Sequence, residues 1–111
     1  MPMIRVREYV DAEGRSRYAR WFGRLPAPAA AKVSTALYRI ELGNLSSVRN
    51  LGGGIFESRI NFGAGYRVYF GKDGNALIIL LGGGTKKGQQ SDIEAARRLW
   101  RDYKQQKKQE H

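Results

Sequence analysis

The sequence predicts an α+β fold, with helices on one side of a mainly antiparallel sheet. Three observations predict it. Alternating polar and apolar residues flank a glycine loop at residues 63–65, the run Ala76–Leu81 is apolar throughout, and helical periodicity occurs near both ends. The chain of 111 residues shows no repeat and no linker. We therefore expect one domain over residues 1–111, with a frayed basic tail from about residue 105.

The N-terminal part predicts a strand and then a helical hairpin. Ile4–Val10 alternates weakly, as a first strand does. A helix between residues 14 and 25 is predicted by apolar residues at helical spacing: Tyr18, Trp21, Phe22 and Leu25. Pro26 and Pro28 suit the first turn of a second helix, which should run to about Leu42 and end at Gly43-Asn44. Trp21 is expected in the core.

The C-terminal part predicts the sheet and a last helix. After a short segment at Val48–Leu51, the hairpin occupies residues 56–70, and an Asp73-Gly74 turn leads into Ala76–Leu81. Residues 82–88 predict a basic glycine loop. The last helix should begin at a capping box formed by Ser91 and Glu94 and should bury Trp100.

The predicted turns set a register for the polar face of the sheet. A three-residue loop at 63–65 places Arg59 opposite Tyr69. A two-residue turn at Asp73-Gly74 places Tyr69 opposite Ile78 and Arg67 opposite Leu80. The polar face is therefore expected to be a solvent-exposed charged patch with an apolar floor.

The net charge of +10 and isoelectric point near 10.3 indicate a polyanionic partner, either nucleic acid or an acidic protein. The absence of cysteine excludes disulfides, thiolate metal sites and cysteine nucleophiles. No apolar run reaches the ~20 residues of a membrane span, and no signal-peptide core precedes the first strand. We expect a cytoplasmic protein with no membrane partner.

The polar residues of the hairpin suit cleavage of RNA by attack of its own 2′-hydroxyl. Arg59, Arg67 and Lys86 are candidates to stabilise the charge on the phosphate, since guanidinium and ammonium groups match phosphate oxygens. Glu57 and Tyr69 are candidates for proton transfer, because the chain has no internal histidine. These proton-transfer candidates predict an enzyme that depends on another macromolecule to hold its substrate in a reactive geometry. No metal and no cofactor are expected.

Further RNA-binding candidates are Lys87, Arg49 and Asp92, and Asp92 is also a third proton-transfer candidate. Each candidate has a simpler interpretation. Arg59 and Glu57 fit a solvated strand face, Lys86 and Lys87 a solubilising loop, and Asp92 the acid that favours a helix N-terminus. Tyr69 fits core packing equally well.

Several segments together resemble a known family. They are Leu51-Gly52-Gly53-Gly54, Phe56-Glu57-Ser58-Arg59-Ile60, Gly65-Tyr66-Arg67-Val68-Tyr69-Phe70, and Leu80-Leu81-Gly82-Gly83 followed by Lys86, Gln89 and Asp92-Ile93. In order and spacing the chain resembles the RelE/ParE toxin superfamily, and within it the HigB-like addiction module killer branch. The resemblance extends from about Val6 to Tyr103.

The resemblance implies a toxin of a type II toxin–antitoxin system that cuts mRNA on the ribosome. It also implies a cognate antitoxin, often of helix-turn-helix type, and contact with operator DNA only through the antitoxin complex. By position, Arg67 matches the arginine that contacts the scissile phosphate, Arg59 a basic strand residue, and Lys86 or Lys87 a basic residue after the last strand. Glu57 stands where family members place a lysine, and Asp92 near a tyrosine, so the proton-transfer groups stay open.

Two other functions stay open. A ParE-like toxin poisons DNA gyrase by binding it and needs no catalysis of its own. A degenerate member would serve only as a module that binds RNA or an antitoxin.

Overall fold

Five strands and three α-helices make up residues 3–109, which are the residues described by the computed structural model. The elements, in chain order, are β1 (Arg5–Glu8), α1 (Arg17–Phe22), α2 (Ala27–Glu41), β2 (Val48–Gly52), β3 (Ile55–Ile60), β4 (Tyr66–Asp73), β5 (Leu77–Thr85) and α3 (Gln89–Gln109). A 3₁₀ turn at Lys86–Gly88 joins β5 to α3. The α+β class and the order of elements are as the sequence predicts.

The strands form one sheet in the order β1-β5-β4-β3-β2. β1 runs parallel to β5, and the other neighbours are antiparallel. Since β1 pairs only with Leu77–Leu80, the end of β5 extends past its partner. This end of the sheet is where α1 and α3 approach each other.

Helices cover both faces of the sheet, so the prediction of helices on one side is wrong. Tyr18, Val33 and Ile40 of α1 and α2 pack on one face. Ala96 and Trp100 of α3 pack on the other face. β5 is apolar on successive residues because it supplies both cores. Trp100 is a core residue, as predicted, and Trp21 is partly buried and packs against the core under α1 and α2.

The hairpin of β3 and β4 has a register two residues away from the predicted one. Arg59 lies opposite Arg67, and Glu57 lies opposite Tyr69. The connection is five residues long because Gly63 and Gly65 both adopt positive φ and fold the chain into consecutive tight turns. A shift of two leaves each side chain on its predicted face.

The register of β4 and β5 also differs from the prediction. Three residues, 74–76, connect these strands, and a bulge follows Tyr69. Tyr69 therefore lies opposite Gly82, and Arg67 opposite Gly84. The apolar floor of Ile78 and Leu80 is wrong, because both side chains belong to the core under α1 and α2. Residues 82–85, predicted as loop, are the end of β5.

The last helix is longer than predicted at both ends. It begins at Gln89 after the 3₁₀ turn, so Ser91 lies inside the helix and does not cap it. It continues through Gln109, where the sequence predicts fraying, because Gln106 donates to Tyr9 Oη at 3.1 Å and Lys107 pairs with Asp73. Residues 110 and 111 lie outside the described range. No helix within residues 3–109 is long and apolar enough to cross a membrane.

Candidate functional site

Four of the candidate residues form one cluster on the sheet face that α3 covers. Glu57 and Arg59 come from β3, and Arg67 and Tyr69 come from the paired positions of β4. Directly paired residues of antiparallel strands project from the same face. We call Glu57, Arg59, Arg67 and Tyr69 the sheet-face cluster.

Glu57 is the centre of this cluster and is fully buried. Its Oε1 lies 3.1 Å from Arg67 Nε, and its Oε2 lies 3.7 Å from Arg59 Nε. Gln89 Nε2 donates a hydrogen bond to Oε1 at 3.1 Å. The expectation that Glu57 lies on a solvated face is wrong, because the first turn of α3 lies over it.

The two arginines of the cluster differ in what can reach them. Arg67 is 7% exposed and is paired with Glu57. The side chain of Arg59 is 48% exposed, and its contact with Glu57 is the looser one. The predicted solvent-exposed patch is therefore wrong for Arg67 and correct for Arg59. Arg59 is the most exposed residue of the cluster.

Tyr69 lies beside Glu57 with no exposed surface. Burial raises the pKa of Tyr69 to about 12, and the negative charges of Glu57 and Asp92 act in the same direction. The phenol therefore keeps its proton at neutral pH. This excludes a resting role as a general base and leaves a role as a proton donor.

Buried polar atoms without a hydrogen-bond partner are concentrated in this cluster. Across residues 3–109 these side-chain atoms are Glu57 Oε2, Arg67 Nε and Tyr69 Oη. Arg67 Nε is close enough to Glu57 for an ion pair but is not aligned for a hydrogen bond. Such unsatisfied groups reduce stability and are rare in folded proteins. Their concentration at one place favours a functional site.

Asp92 lies at the border of the cluster, in the first turn of α3. Its Oδ1 lies 3.4 Å from Arg17 Nη2, which links α3 to α1. Burial raises the pKa of Asp92, and Arg17 opposes that shift. The carboxylate occupies the place where a Cβ of Gly84 would stand, so only glycine fits opposite Arg67.

The remaining candidates lie around the cluster and not in it. Lys86 and Lys87 are exposed on the 3₁₀ turn that leads into α3. Arg49 is exposed on β2, opposite Glu57. In the described range, no group of three or more His, Cys, Asp or Glu residues could hold a metal ion.

Sequence reasoning assigned no site role to Gln89, which it named only within the family resemblance, or to Arg17. Gln89 was placed outside the predicted last helix, because the capping motif at Ser91 puts the start of that helix two residues too late. Arg17 was a residue of the predicted first helix with no signal that it pairs with Asp92. Arg17, Arg20 and Arg24 also line a cavity of about 410 Å³ that ends at Asp92.

Comparison with known proteins relates this arrangement to a protein family. The family model for phage-derived proteins that are Gp49-like (DUF891) matches residues 20–101. A protein of Haemophilus influenzae, described only as uncharacterized, is 40% identical over 80 residues, which are 71% of this chain and 81% of that protein. The family match includes the sheet-face cluster, Asp92 and Gln89.

Proposed function

The chain belongs to the Gp49-like (DUF891) family of phage-derived proteins, and from this premise we propose that it is the toxin of a type II toxin–antitoxin pair. We further propose that it cleaves mRNA on the ribosome. The RelE/ParE resemblance from about Val6 to Tyr103 and the net charge of +10 support this proposal.

One observation carries the nuclease proposal. Glu57, Arg67 and Tyr69 keep unsatisfied polar atoms in a buried cluster, and the half-exposed Arg59 lies at its surface. A face that served only for packing would be more stable with apolar residues at these positions. Retention of such groups is typical of sites that are organised for a reaction.

The cluster supplies the parts for transfer of a phosphate to the adjacent 2′-oxygen. Arg59, with Lys86 from the neighbouring turn, neutralises the phosphate. Glu57 takes the proton of the 2′-hydroxyl, whose oxygen then forms a bond to phosphorus. The bond from phosphorus to the 5′-oxygen breaks, and Tyr69 gives that oxygen its proton. The products are a 2′,3′-cyclic phosphate and a free 5′-hydroxyl.

Because Glu57 and Tyr69 are buried, a substrate can reach them only if part of the protein moves. Gln89, in the first turn of α3, donates a hydrogen bond to Glu57. We propose that mRNA held in the ribosome displaces this turn and reaches the cluster. Free RNA would be cut slowly, because without the ribosome the full entropic cost of orienting its reacting groups adds to the barrier.

Induced expression of the protein tests the proposal. We expect translation to stop and transcripts to be cut within codons on ribosomes. Intact transcripts in cells that have stopped growing would contradict the nuclease proposal.

A second function has a specific observation in its favour. Arg67 and Tyr69 are buried, and a toxin that acts by binding another protein needs neither at its surface. A gyrase poison of the ParE type would induce DNA breaks while leaving mRNA intact. The same induction experiment separates the two functions.

The antitoxin is part of the same proposal. We propose a helix-turn-helix partner whose complex with this chain binds operator DNA. A small helix-turn-helix gene beside the gene for this chain is the expected genomic arrangement. Coexpression of that gene should restore growth.

A further inference from the structure

A second basic concavity lies beside α2. This cavity, which we call the α2 cavity, has a volume of about 380 Å³ and lies between α2, the segment after it and the end of β3. It is lined by three cations, Lys32, Arg39 and Arg59, and no carboxylate lines it. The cavity beside α1, in contrast, is lined by the carboxylate of Asp92 as well as by arginines.

The cations of α2 are placed on one side of their helix. Lys32, Thr35 and Arg39 follow each other at steps of three and four residues, so they share one face. Lys32 and Arg39 are exposed, and neither takes part in an ion pair with another residue in the described range. Two positive charges on a rigid helix therefore lack a counter-ion in the protein.

Uncharged hydrogen-bonding groups surround these cations. Thr35 projects from α2, and Asn44 and Ser46 come from the segment that follows it. Asn44 Oδ1 accepts a hydrogen bond from the Ser46 backbone at 3.1 Å, which fixes this segment locally. Hydroxyl and amide groups of this kind can bond both to phosphate oxygens and to ribose 2′-hydroxyls.

We propose that the α2 cavity binds the sugar–phosphate backbone of single-stranded RNA. This proposal rests on the proposed function and extends it, because Arg59 belongs to both the α2 cavity and the sheet-face cluster. An RNA strand bound by Lys32 and Arg39 is thereby positioned close to Arg59, the residue proposed to contact the reacting phosphate. An acidic protein segment offers negative charge but no 2′-hydroxyls, so the lining of the cavity favours RNA.

The test is the salt dependence of binding between the purified protein and a fluorescent single-stranded RNA. A Lys32→Ala/Arg39→Ala variant should bind more weakly, and its log–log salt slope should fall by about 1.4, since each lost phosphate contact is worth about 0.7 on a single strand. An Arg98→Ala/Lys108→Ala variant is the matched control. It loses the same charge from exposed positions of α3, across the sheet from the cavity, and should keep the wild-type slope.

Two results would overturn the proposal. The first is a Lys32→Ala/Arg39→Ala variant that keeps its thermal midpoint and has the same log–log salt slope of RNA binding as the wild type. A slope equal to that of the control variant would count in the same way. The second is loss of binding to a polyglutamate peptide with unchanged binding to RNA, which would assign the cavity to an acidic protein. The measurement uses no ribosome and no cleavage, so its failure is distinct from the absence of cut transcripts in cells.

Discussion

Arg67 Nε lies 3.1 Å from Glu57 Oε1, between neighbouring strands of the sheet and out of contact with solvent. The arginine that the family resemblance assigns to the scissile phosphate is therefore neutralised by a carboxylate of its own chain. Glu57 thus has two tasks. It keeps a buried cation paired in the resting protein, and it is the proposed proton acceptor during reaction.

Replacement of Glu57 should show the first of these tasks. Glu57→Gln preserves shape but leaves Arg67 as a buried cation without a counter-ion. We expect the free energy of unfolding to fall by about 3–5 kcal/mol, the usual effect of removing one partner of a buried ion pair. Urea unfolding measures it, and Glu13→Gln, at an exposed position, is the control. Equal stabilities of the two variants would contradict the role of the pair.

Tyr69→Phe should separate stability from activity. The Tyr69 hydroxyl is buried without a hydrogen-bond partner, so its removal should leave stability at neutral pH unchanged or raise it. Cleavage should nevertheless fall, since the proton donor is lost. Tyr18→Phe, in the opposite core, is the control and should leave cleavage unchanged. A Tyr69→Phe protein that cleaves normally would remove Tyr69 from the mechanism.

The free energy of unfolding should depend on pH through the ionisation of Tyr69. The pKa of Tyr69 is about 12 in the folded protein, against 10.0 for a free tyrosine, so folding favours the neutral phenol. The contribution of the neutral phenol to the free energy of unfolding is fully present below pH 10 and is lost as the pH rises through 12. Tyr18 has a raised pKa of about 12 as well. Each single Phe variant should therefore lose less stability than the wild type between pH 10 and 12, measured by urea unfolding.

Gly84 and Asp92 should be energetically coupled. A Cβ at Gly84 would overlap the Asp92 carboxylate, so Gly84→Ala should lower the free energy of unfolding by about 1–3 kcal/mol. In an Asp92→Ala background the same change should have less effect. A double-mutant cycle measures the coupling. Additive effects would show that the two residues do not compete for the same space.

The sequence was sufficient for the order of elements and for the faces of the sheet. Alternation in residues 56–70 assigned Glu57, Arg59, Arg67 and Tyr69 to one face. This assignment is correct although the predicted register is wrong, because a register error of two residues leaves each side chain on the same face. The all-apolar run of β5 already indicated cover on both faces. The prediction of helices on one side overlooked that indication.

The exposure of the cluster could not be predicted from the same patterns. It depends on where α3 begins, and the Ser91–Glu94 motif gave a start two residues too late. Gln89, which holds Glu57, was therefore outside the predicted helix. The bulge after Tyr69 had no local signal either. The longer connection at residues 74–76 shifts the pairing of β4 and β5 by three residues, and the bulge adds one more, so that Gly82 and Gly84 lie beside the cluster instead of Ile78 and Leu80.

The most direct test of the nuclease proposal is to map RNA 5′ ends after induction of the wild type, Arg59→Ala and Arg7→Ala. Arg59 is half exposed, so its loss should remove a phosphate contact and spare the fold, and cleavage should fall by about 10²–10³. Arg7 is exposed on β1, which two strands separate from β3, and its variant should cut as the wild type does. We predict cuts within codons for the wild type and Arg7→Ala, and their loss in a folded Arg59→Ala protein. Uncut transcripts with the wild type, or undiminished cutting by Arg59→Ala, would contradict the nuclease proposal.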